Sequence, residues 1–332
     1  MKSDLNISTR VGAVVIGRNE GERLKRCLTS LSNQLNKIVY VDSGSTDNSL
    51  ENAAKMGVEV ITLDLNQPFT AARARNEGFR HLIQVFPEVD YVQFVDGDCE
   101  VISTWLKESI IFIDSNQDYA AVCGRRRERY PEQSIYNLMC DIEWNTPIGD
   151  AKACGGDAML RVKALNQVDG YRNDLIAGEE PELCVRLRAF GWKIRRLDSE
   201  MTMHDAAITK FIQWWKRNVR SGYAFAEGAY LHGAAPEKHW VKESRRAMIW
   251  GLVIPILAIF LGMISWFLAL LTMLVYPLQI ARLAIRNIKL TIKYPLKIAF
   301  FNVLSKFAEM YGQLNYYYLR LFRKTRKLIE YK

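Results

Sequence analysis

From Ala247 to Ala281 the chain runs 35 residues without an Asp, Glu, Lys, Arg or His. A helix that crosses a bilayer needs about 20 apolar residues, so this stretch is long enough to enter a membrane. It is short for two complete spans and a turn, and Gly262 and Ser265 interrupt its middle. Two short helices, a hairpin or re-entrant pair dipping in from one side, are therefore predicted over 247–281. A buried helix pair in a water-soluble domain would be equally apolar, but such helices seldom go so long without a charge. Lys242, Arg245 and Arg246 precede the run, and Arg282, Arg286, Lys289 and Lys293 follow it. Basic flanks favour the cytoplasmic side, which puts both ends of the hairpin there, at the inner membrane if the chain is bacterial.

The flanks belong to an uneven distribution of charge. Lys and Arg number 45 against 36 Asp and Glu, a formal net charge of +9. Residues 1–281 hold 33 basic and 34 acidic side chains, whereas 282–332 hold 12 and 2. A protein that coats nucleic acid more often spreads its charge over a folded face. Here a neutral body carries a cationic tail, and no nucleic-acid partner is expected. Residues 293–320 mix Lys293, Lys297 and Lys306 with Phe300, Phe301, Leu304, Phe307, Tyr311 and Leu314, a pattern suited to an amphipathic helix in the membrane interface. Arg320, Arg323, Lys324, Arg326 and Lys327 would then meet anionic lipid headgroups, at about 1 kcal/mol each near a charged surface. The opening MKSDLNISTR lacks the apolar core of a cleavable signal peptide. Cys27, Cys99, Cys123, Cys140, Cys154 and Cys184 show no metal-binding spacing, and read as reduced thiols in the cytosol.

Ahead of the apolar run, 49% hydrophobic residues overall supply an ample core, and two hydrophobic periods alternate. Val11–Ile16, Ile38–Val41, Val58–Leu63 and Tyr91–Val95 are short, β-branched or aromatic runs that predict strands. Between them lie a helical stretch with Leu24, Cys27, Leu28 and Leu31 on one face, a helix over Leu50–Met56 and another over Thr70–Val85. Strands alternating with helices imply right-handed βαβ units and a parallel sheet. Ligands of such sheets sit beyond the carboxyl ends of the strands.

Those strand ends are polar: Asn19 and Glu20 follow the first, Asp42 and Ser43 the second, and Asp96-Gly97-Asp98 the fourth. Two carboxylates at the tip of a buried strand suit a hard divalent cation, and Mg²⁺ typically uses one or two of them together with substrate phosphates. Asp-Gly-Asp is also simply a good turn sequence. Later in the chain, Pro181 suits the first turn of a helix that stops at Gly191, with Glu179 and Glu180 at its start.

Six pieces stand in order over residues 11–222: the first strand leading to Arg18-Asn19-Glu20, Val41-Asp-Ser-Gly-Ser-Thr-Asp47, Ala74-Arg-Asn-Glu-Gly78, Phe94-Val-Asp-Gly-Asp98, Gly155-Gly-Asp157 and Gly178-Glu-Glu-Pro-Glu-Leu183. In these the chain resembles the inverting family-2 glycosyltransferases of the GT-A fold, a Rossmann-like mixed sheet flanked by helices. The resemblance implies a GT-A catalytic domain over 1–206 and an amphipathic helical segment over 207–246 that completes the active site near the membrane. The hairpin over 247–281 and a basic interfacial tail over 282–332 would follow.

By the same resemblance, Asn19, Glu20, Asp42, Arg75 and Asp96 would line the nucleotide pocket. Asp98, joined by His204, would coordinate Mg²⁺ or Mn²⁺ on the diphosphate. Glu180 would be the catalytic base, with Glu179 beside it; the family's usual Glu-Asp is here Glu-Glu, one methylene longer. Gly155, Gly156 and Asp157 would border the donor and acceptor sugars, Asp157 touching a hydroxyl. Arg217 and Arg220, three apart on one helical face, would fork onto the diphosphate; Trp214 and Trp215 would pack where protein meets bilayer. Ser43 stands where the family usually has a second aspartate, which leaves the base of the nucleotide open.

The expected reaction is transfer of a sugar from a nucleotide-diphosphate sugar, a UDP-sugar, to a hydroxyl of a lipid-linked or saccharide acceptor in polysaccharide or glycolipid synthesis. A polyprenyl-phosphate sugar synthase would need no strong base. A catalytically silent nucleotide-sugar-binding membrane scaffold would bind donor without releasing nucleoside diphosphate.

Overall fold

The computed structural model describes residues 7–67 and 69–322; the expected headgroup contacts of Arg323, Lys324, Arg326 and Lys327 lie outside them. The chain divides into two compact units, one of residues 1–131 and 140–207, the other of 132–139 and 208–332.

Among the described residues the first unit holds a nine-stranded sheet: β1 Val11–Gly17, β2 Ile38–Asp42, β3 Glu59–Thr62, β4 Tyr91–Asp96, β5 Cys99–Val101, β6 Tyr119–Glu128, β7 Gly149–Ala151, β8 Ala158–Arg161 and β9 Lys193–His204. Their order is β3-β2-β1-β4-β8-β6-β9-β5, with β7 also on β9. The first four neighbours run parallel, as the βαβ pattern predicts. Beyond β4 the sheet is mixed, because β8 pairs antiparallel with both β4 and β6 while β6 and β9 are parallel. That half contains no simple strand-helix alternation, and its pairing is non-local.

The apolar periodicity is used as expected. Helix Glu22–Ser32 buries Leu24, Cys27, Leu28 and Leu31, and helix Ala71–Val85 starts where Thr70 Oγ1 accepts the Arg73 N–H at 3.1 Å. Each packs a face of apolar side chains into the sheet core. Register then aligns chemistry. Gly17 pairs with Asp42 and Ile16 with Asp96, so two acids end within one residue of each other along the same edge. His204 pairs with Cys99 on one side and with Glu128 on the other.

The second unit is helical. Helices Phe211–His232 and Pro295–Leu321 cross with their backbones touching: a Cβ on Gly222 would lie 1.9 Å from Glu309 O, and one on Gly312 2.0 Å from Val219 O. Small residues permit this approach, which gains dispersion contacts along both helices. The inward face of Pro295–Leu321 is small or polar, with Ser305, Ala308, Glu309, Gly312 and Gln313 buried, while Phe300, Tyr311 and Leu314 are exposed. Trp214 is buried against Tyr136 and Phe301, with ring centroids at 5.8 and 5.1 Å, so it packs inside this unit and not on its surface.

The apolar run forms two helices, Val241–Ile264 and Trp266–Lys289, each 24 residues and so about 36 Å long at 1.5 Å per residue. Both are longer than the uncharged run alone suggested, because they continue into its charged flanks. Ser265 breaks the helix between them, at φ −158° and ψ 127°. The pair folds back on itself: a Cβ on Gly262 would approach Ala269 Cβ to 3.3 Å, and further from the bend Tyr276 Oη donates to Trp250 O at 2.6 Å. Only 17% and 11% of their most apolar windows are buried, unlike the core helices of a water-soluble protein. The bend is capped by outward-facing Met263, Ile264, Trp266 and Phe267.

Replacing Gly312 by Val should separate the two crossing helices at a cost of about 3 kcal/mol, the upper range for overpacking. Thermal unfolding of the detergent-solubilised protein reads this as a lowered midpoint; an unchanged midpoint would refute the close crossing.

Candidate active site

The centre of the site is Arg75, nearly buried on helix Ala71–Val85. Its Nη1 donates to Glu179 Oε1 at 2.9 Å, and its Nη2 lies 2.8 Å from Asp96 Oδ1 and 3.0 Å from Glu180 Oε1. Three carboxylates from two parts of the chain, the end of β4 and the start of helix Glu179–Ala189, thus meet on one guanidinium, whose planar fork can serve several acceptors at once. Gly156 closes the cluster. A Cβ there would come 2.5 Å from Arg75 Nη2, 2.9 Å from Asp96 Oδ2 and 3.0 Å from Glu180 Oε1, so only glycine lets the backbone pass. Gly155 next to it is exposed, with open space where its Cβ would stand.

Of the acids on Arg75, Glu180 carries a raised carboxyl. Helix Glu179–Ala189 begins here, and Glu179 is buried while the Glu180 side chain keeps 15% of its surface. Burial, and then the neighbouring Glu179, push the Glu180 carboxyl up to about 7 against the pull of Arg75. A carboxylate poised there can take a proton near neutral pH.

A second arginine, which the sequence motifs did not flag, holds the floor. Arg126 at the end of β6 reaches Asp157 Oδ2 at 2.8 Å and Asp96 Oδ2 at 3.2 Å, and lies over the Trp144 ring. Asp157 accepts from Asp96 N at 3.0 Å and from Thr202 Oγ1 at 2.7 Å. The sugar contact expected of Asp157 is at odds with this: a carboxylate that is 0% exposed, with both oxygens bonded, has no face for a hydroxyl. Its work is to fix the Asp96 backbone.

Asp98 and His204 come together as a donor pair, His204 Nε2 lying 3.3 Å from Asp98 Oδ2. On the other side of the ring, Nδ1 faces Glu128 Oε2 at 3.6 Å, beyond hydrogen-bond distance. Glu128 is held in turn by the Ala206 and Tyr130 N–H groups. The Cys99 thiol belongs to the same cluster; a soft sulfur ligand suits Mg²⁺ and Mn²⁺ less well than oxygen and imidazole do. One carboxylate and one imidazole are ligands that fit Mg²⁺ or Mn²⁺.

The nucleotide-side residues are placed at the neighbouring strand ends. Asn19 Oδ1 accepts from Thr46 N at 2.7 Å and its own N–H donates to Ser45 Oγ at 2.9 Å, tying the loops after β1 and β2 together. The Glu20 stem lies against Gly17 and Gly97, and its carboxylate meets Arg23 at 2.8 Å. Asp42 differs from expectation. It is 0% exposed and accepts from Tyr40 Oη, Ser45 Oγ and the N–H groups of Gly44 and Ser45, so it shapes the loop that would carry a base and offers no free oxygen itself. Arg217 and Arg220 stand on helix Phe211–His232 of the second unit, both half-buried.

Residues 13–166 match the family model described as glycosyl transferase family 2. They form a family 2 glycosyltransferase domain. Uncharacterized glycosyltransferases of Rickettsia conorii and Rickettsia felis are each 29% identical to the chain, over 115 and 111 residues, which is 34% and 33% of this chain and 38% and 36% of theirs. The chain therefore spans little more than a third of the length of these relatives. Among solved structures, the mannosyltransferase PcManGT from Pyrobaculum calidifontis, in complex with GDP-Man and Mn²⁺, superposes with a TM-score of 0.59 at 16% identity, covering 92% of this chain and 87% of that one. That likeness is one of fold: the mixed sheet with its flanking helices is GT-A.

Arg126→Met would leave Asp157 buried without its cation. A loss of about 3 kcal/mol in unfolding free energy is expected, as for other broken buried pairs. Thermal or urea unfolding measures it, and wild-type stability would show that Asp157 does not depend on Arg126.

Proposed function

We propose that the chain is an inverting, membrane-attached glycosyltransferase that moves one sugar from a nucleotide-diphosphate sugar, a UDP-sugar, to a hydroxyl of a lipid-linked acceptor at the cytoplasmic face of a membrane. The observation that carries this reading is the separation of two chemistries along one sheet edge. A carboxylate raised to about 7, Glu180, stands on the Arg75 cluster, and a carboxylate-imidazole pair, Asp98 and His204, stands at the ends of β4 and β9.

Glu180 takes the proton of the acceptor hydroxyl. The oxygen forms its bond to the anomeric carbon as the bond to the diphosphate breaks, and that electron pair leaves with the diphosphate. Attack from the face opposite the leaving group inverts the centre. Arg75 holds Glu180 and Asp96 in fixed relation, so the acceptor meets a base already aimed. A divalent cation bound by Asp98 and His204 would neutralise the charge gathering on the diphosphate. Asn19, Glu20 and Asp96 line the nucleotide side and Gly155 and Gly156 the sugar side. Arg217 and Arg220 are candidates for the diphosphate on the family resemblance alone. The hairpin, with its apolar exterior and its basic flanks, supports the membrane attachment.

A screen of nucleotide sugars with divalent cation, reading nucleoside diphosphate release, tests the donor. Asp98→Ala should abolish the release, and retained activity would remove the metal assignment. Glu180→Gln should lower kcat about 10²- to 10⁴-fold, the usual contribution of a general base. Because the Glu180 carboxyl is raised, its basic form is lost as pH falls through about 7. The kcat/KM of the wild type should therefore be level above that pH and fall about tenfold per unit below it. Undiminished turnover in Glu180→Gln would instead point to a phosphate acceptor, which needs no base.

A further inference from the structure

Where helix Val241–Ile264 begins, an open groove of about 460 Å³ is lined by Lys238, Lys242, Arg245 and Arg246. Its apolar part is Val241, Ile249 and Trp250. All of it lies within the second unit. The four cations are exposed, and among the described residues no carboxylate pairs with any of them; Glu237 and Glu243, the acids of this stretch, do not line the groove. Lys238 is held in place by a bonded turn, its N–H on Ala234 O at 3.0 Å and its carbonyl accepting from Val241 N at 3.3 Å. The positive end of the helix dipole adds to the same potential.

The direction of the groove is the informative feature. Lys242, Arg246, Ile249, Val253, Ile256 and Phe260 follow one another at spacings of four and three, a stripe that passes through a π-helical turn at Ile249–Val253. Its first two members are cations, and the next four are exposed aliphatic or aromatic side chains. The eleven residue-to-residue steps from Ile249 to Phe260 extend about 17 Å along the axis at the α-helical rise. A charged head on an apolar stem is the shape of a lipid, and two arginines beside a lysine are the chemistry of a phosphate.

We propose that this groove seats the phosphate-bearing headgroup of a membrane lipid whose hydrocarbon chain follows the stripe from Ile249 to Phe260. The proposal rests on the reading of Val241–Ile264 as a membrane helix. It goes beyond general attraction of basic flanks to a negative surface, because it assigns one face of one helix.

The test uses the full chain in neutral detergent and native mass spectrometry with three probes: phosphatidic acid, the diacylglycerol of the same chains, and inorganic phosphate. Wild-type protein should retain phosphatidic acid in preference to both others. Arg245→Gln with Arg246→Gln should weaken that binding about thirty-fold, which is about 2 kcal/mol at 1.4 kcal/mol per factor of ten. Both arginines are exposed, so packing is left intact. Arg282→Gln with Arg286→Gln, equally basic positions on the other helix and outside the groove, should leave it unchanged. Equal losses in the two double variants would overturn the site in favour of diffuse charge. Inorganic phosphate binding as tightly as the lipid would overturn the headgroup assignment. Flotation with phosphatidylcholine vesicles separates the two readings: a wild type that fails to float overturns both, and one that floats without preferring phosphatidic acid overturns this one alone.

Discussion

Four carboxylates, Asp96, Asp157, Glu179 and Glu180, crowd one edge of the sheet around two arginines, Arg75 and Arg126. Burying like charges together is costly unless cations and hydrogen bonds compensate them, and here the compensation is incomplete. Asp157 has Arg126, Thr202 and a backbone N–H; Glu179 has its own nitrogen of Arg75. Asp96 and Glu180 share the other nitrogen. The Glu180 carboxyl is raised by burial first and then by the neighbouring Glu179, against the pull of Arg75. The raised carboxyl emerges from a balance among neighbours, the kind of perturbation that gathers at functional sites.

The same edge depends on sheet register. Asp96 ends level with Ile16, and His204 faces both Cys99 and Glu128. A slip by one residue in β9 would turn His204 to the opposite face and separate it from Asp98. The antiparallel β8 matters for the same reason, since it brings Asp157 back beside the end of β4.

The second unit solves another problem: how to build helices whose outer surface is as apolar as their inner one. Its internal contacts rely on shape, with Gly222 and Gly312 allowing backbones to touch, and on satisfied polar pairs such as Ser244 with Gln313 at 2.8 Å. Large side chains are thereby left free to face outward around the hairpin. Polar groups buried on helix Pro295–Leu321, Glu309 with Ser305 and Lys306, are paired, as an apolar surrounding requires.

Much of this was legible in the residues. Period-two and period-3.6 patterns place the first four strands and the helices between them, because local burial of one face dictates both. The uncharged run identifies the hairpin, and its break at Ser265 falls where the composition changes. The acids at the strand ends, the Glu179-Glu180 helix start and Gly156 are all visible as motifs. What composition cannot reveal is which oxygen is free. Asp42 and Asp157 look like ligand contacts in the sequence, yet the fold uses up every oxygen of both. Arg126 and Glu128 look like ordinary charges in a run of them, yet β6 carries them to the floor of the site. Sequence alone determined the kinds of chemistry present, since local patterns and residue types are properties of the chain. Only the tertiary structure decided which acids are fully bonded and which carboxyl is raised, since hydrogen bonds and pKa shifts depend on neighbours distant in sequence.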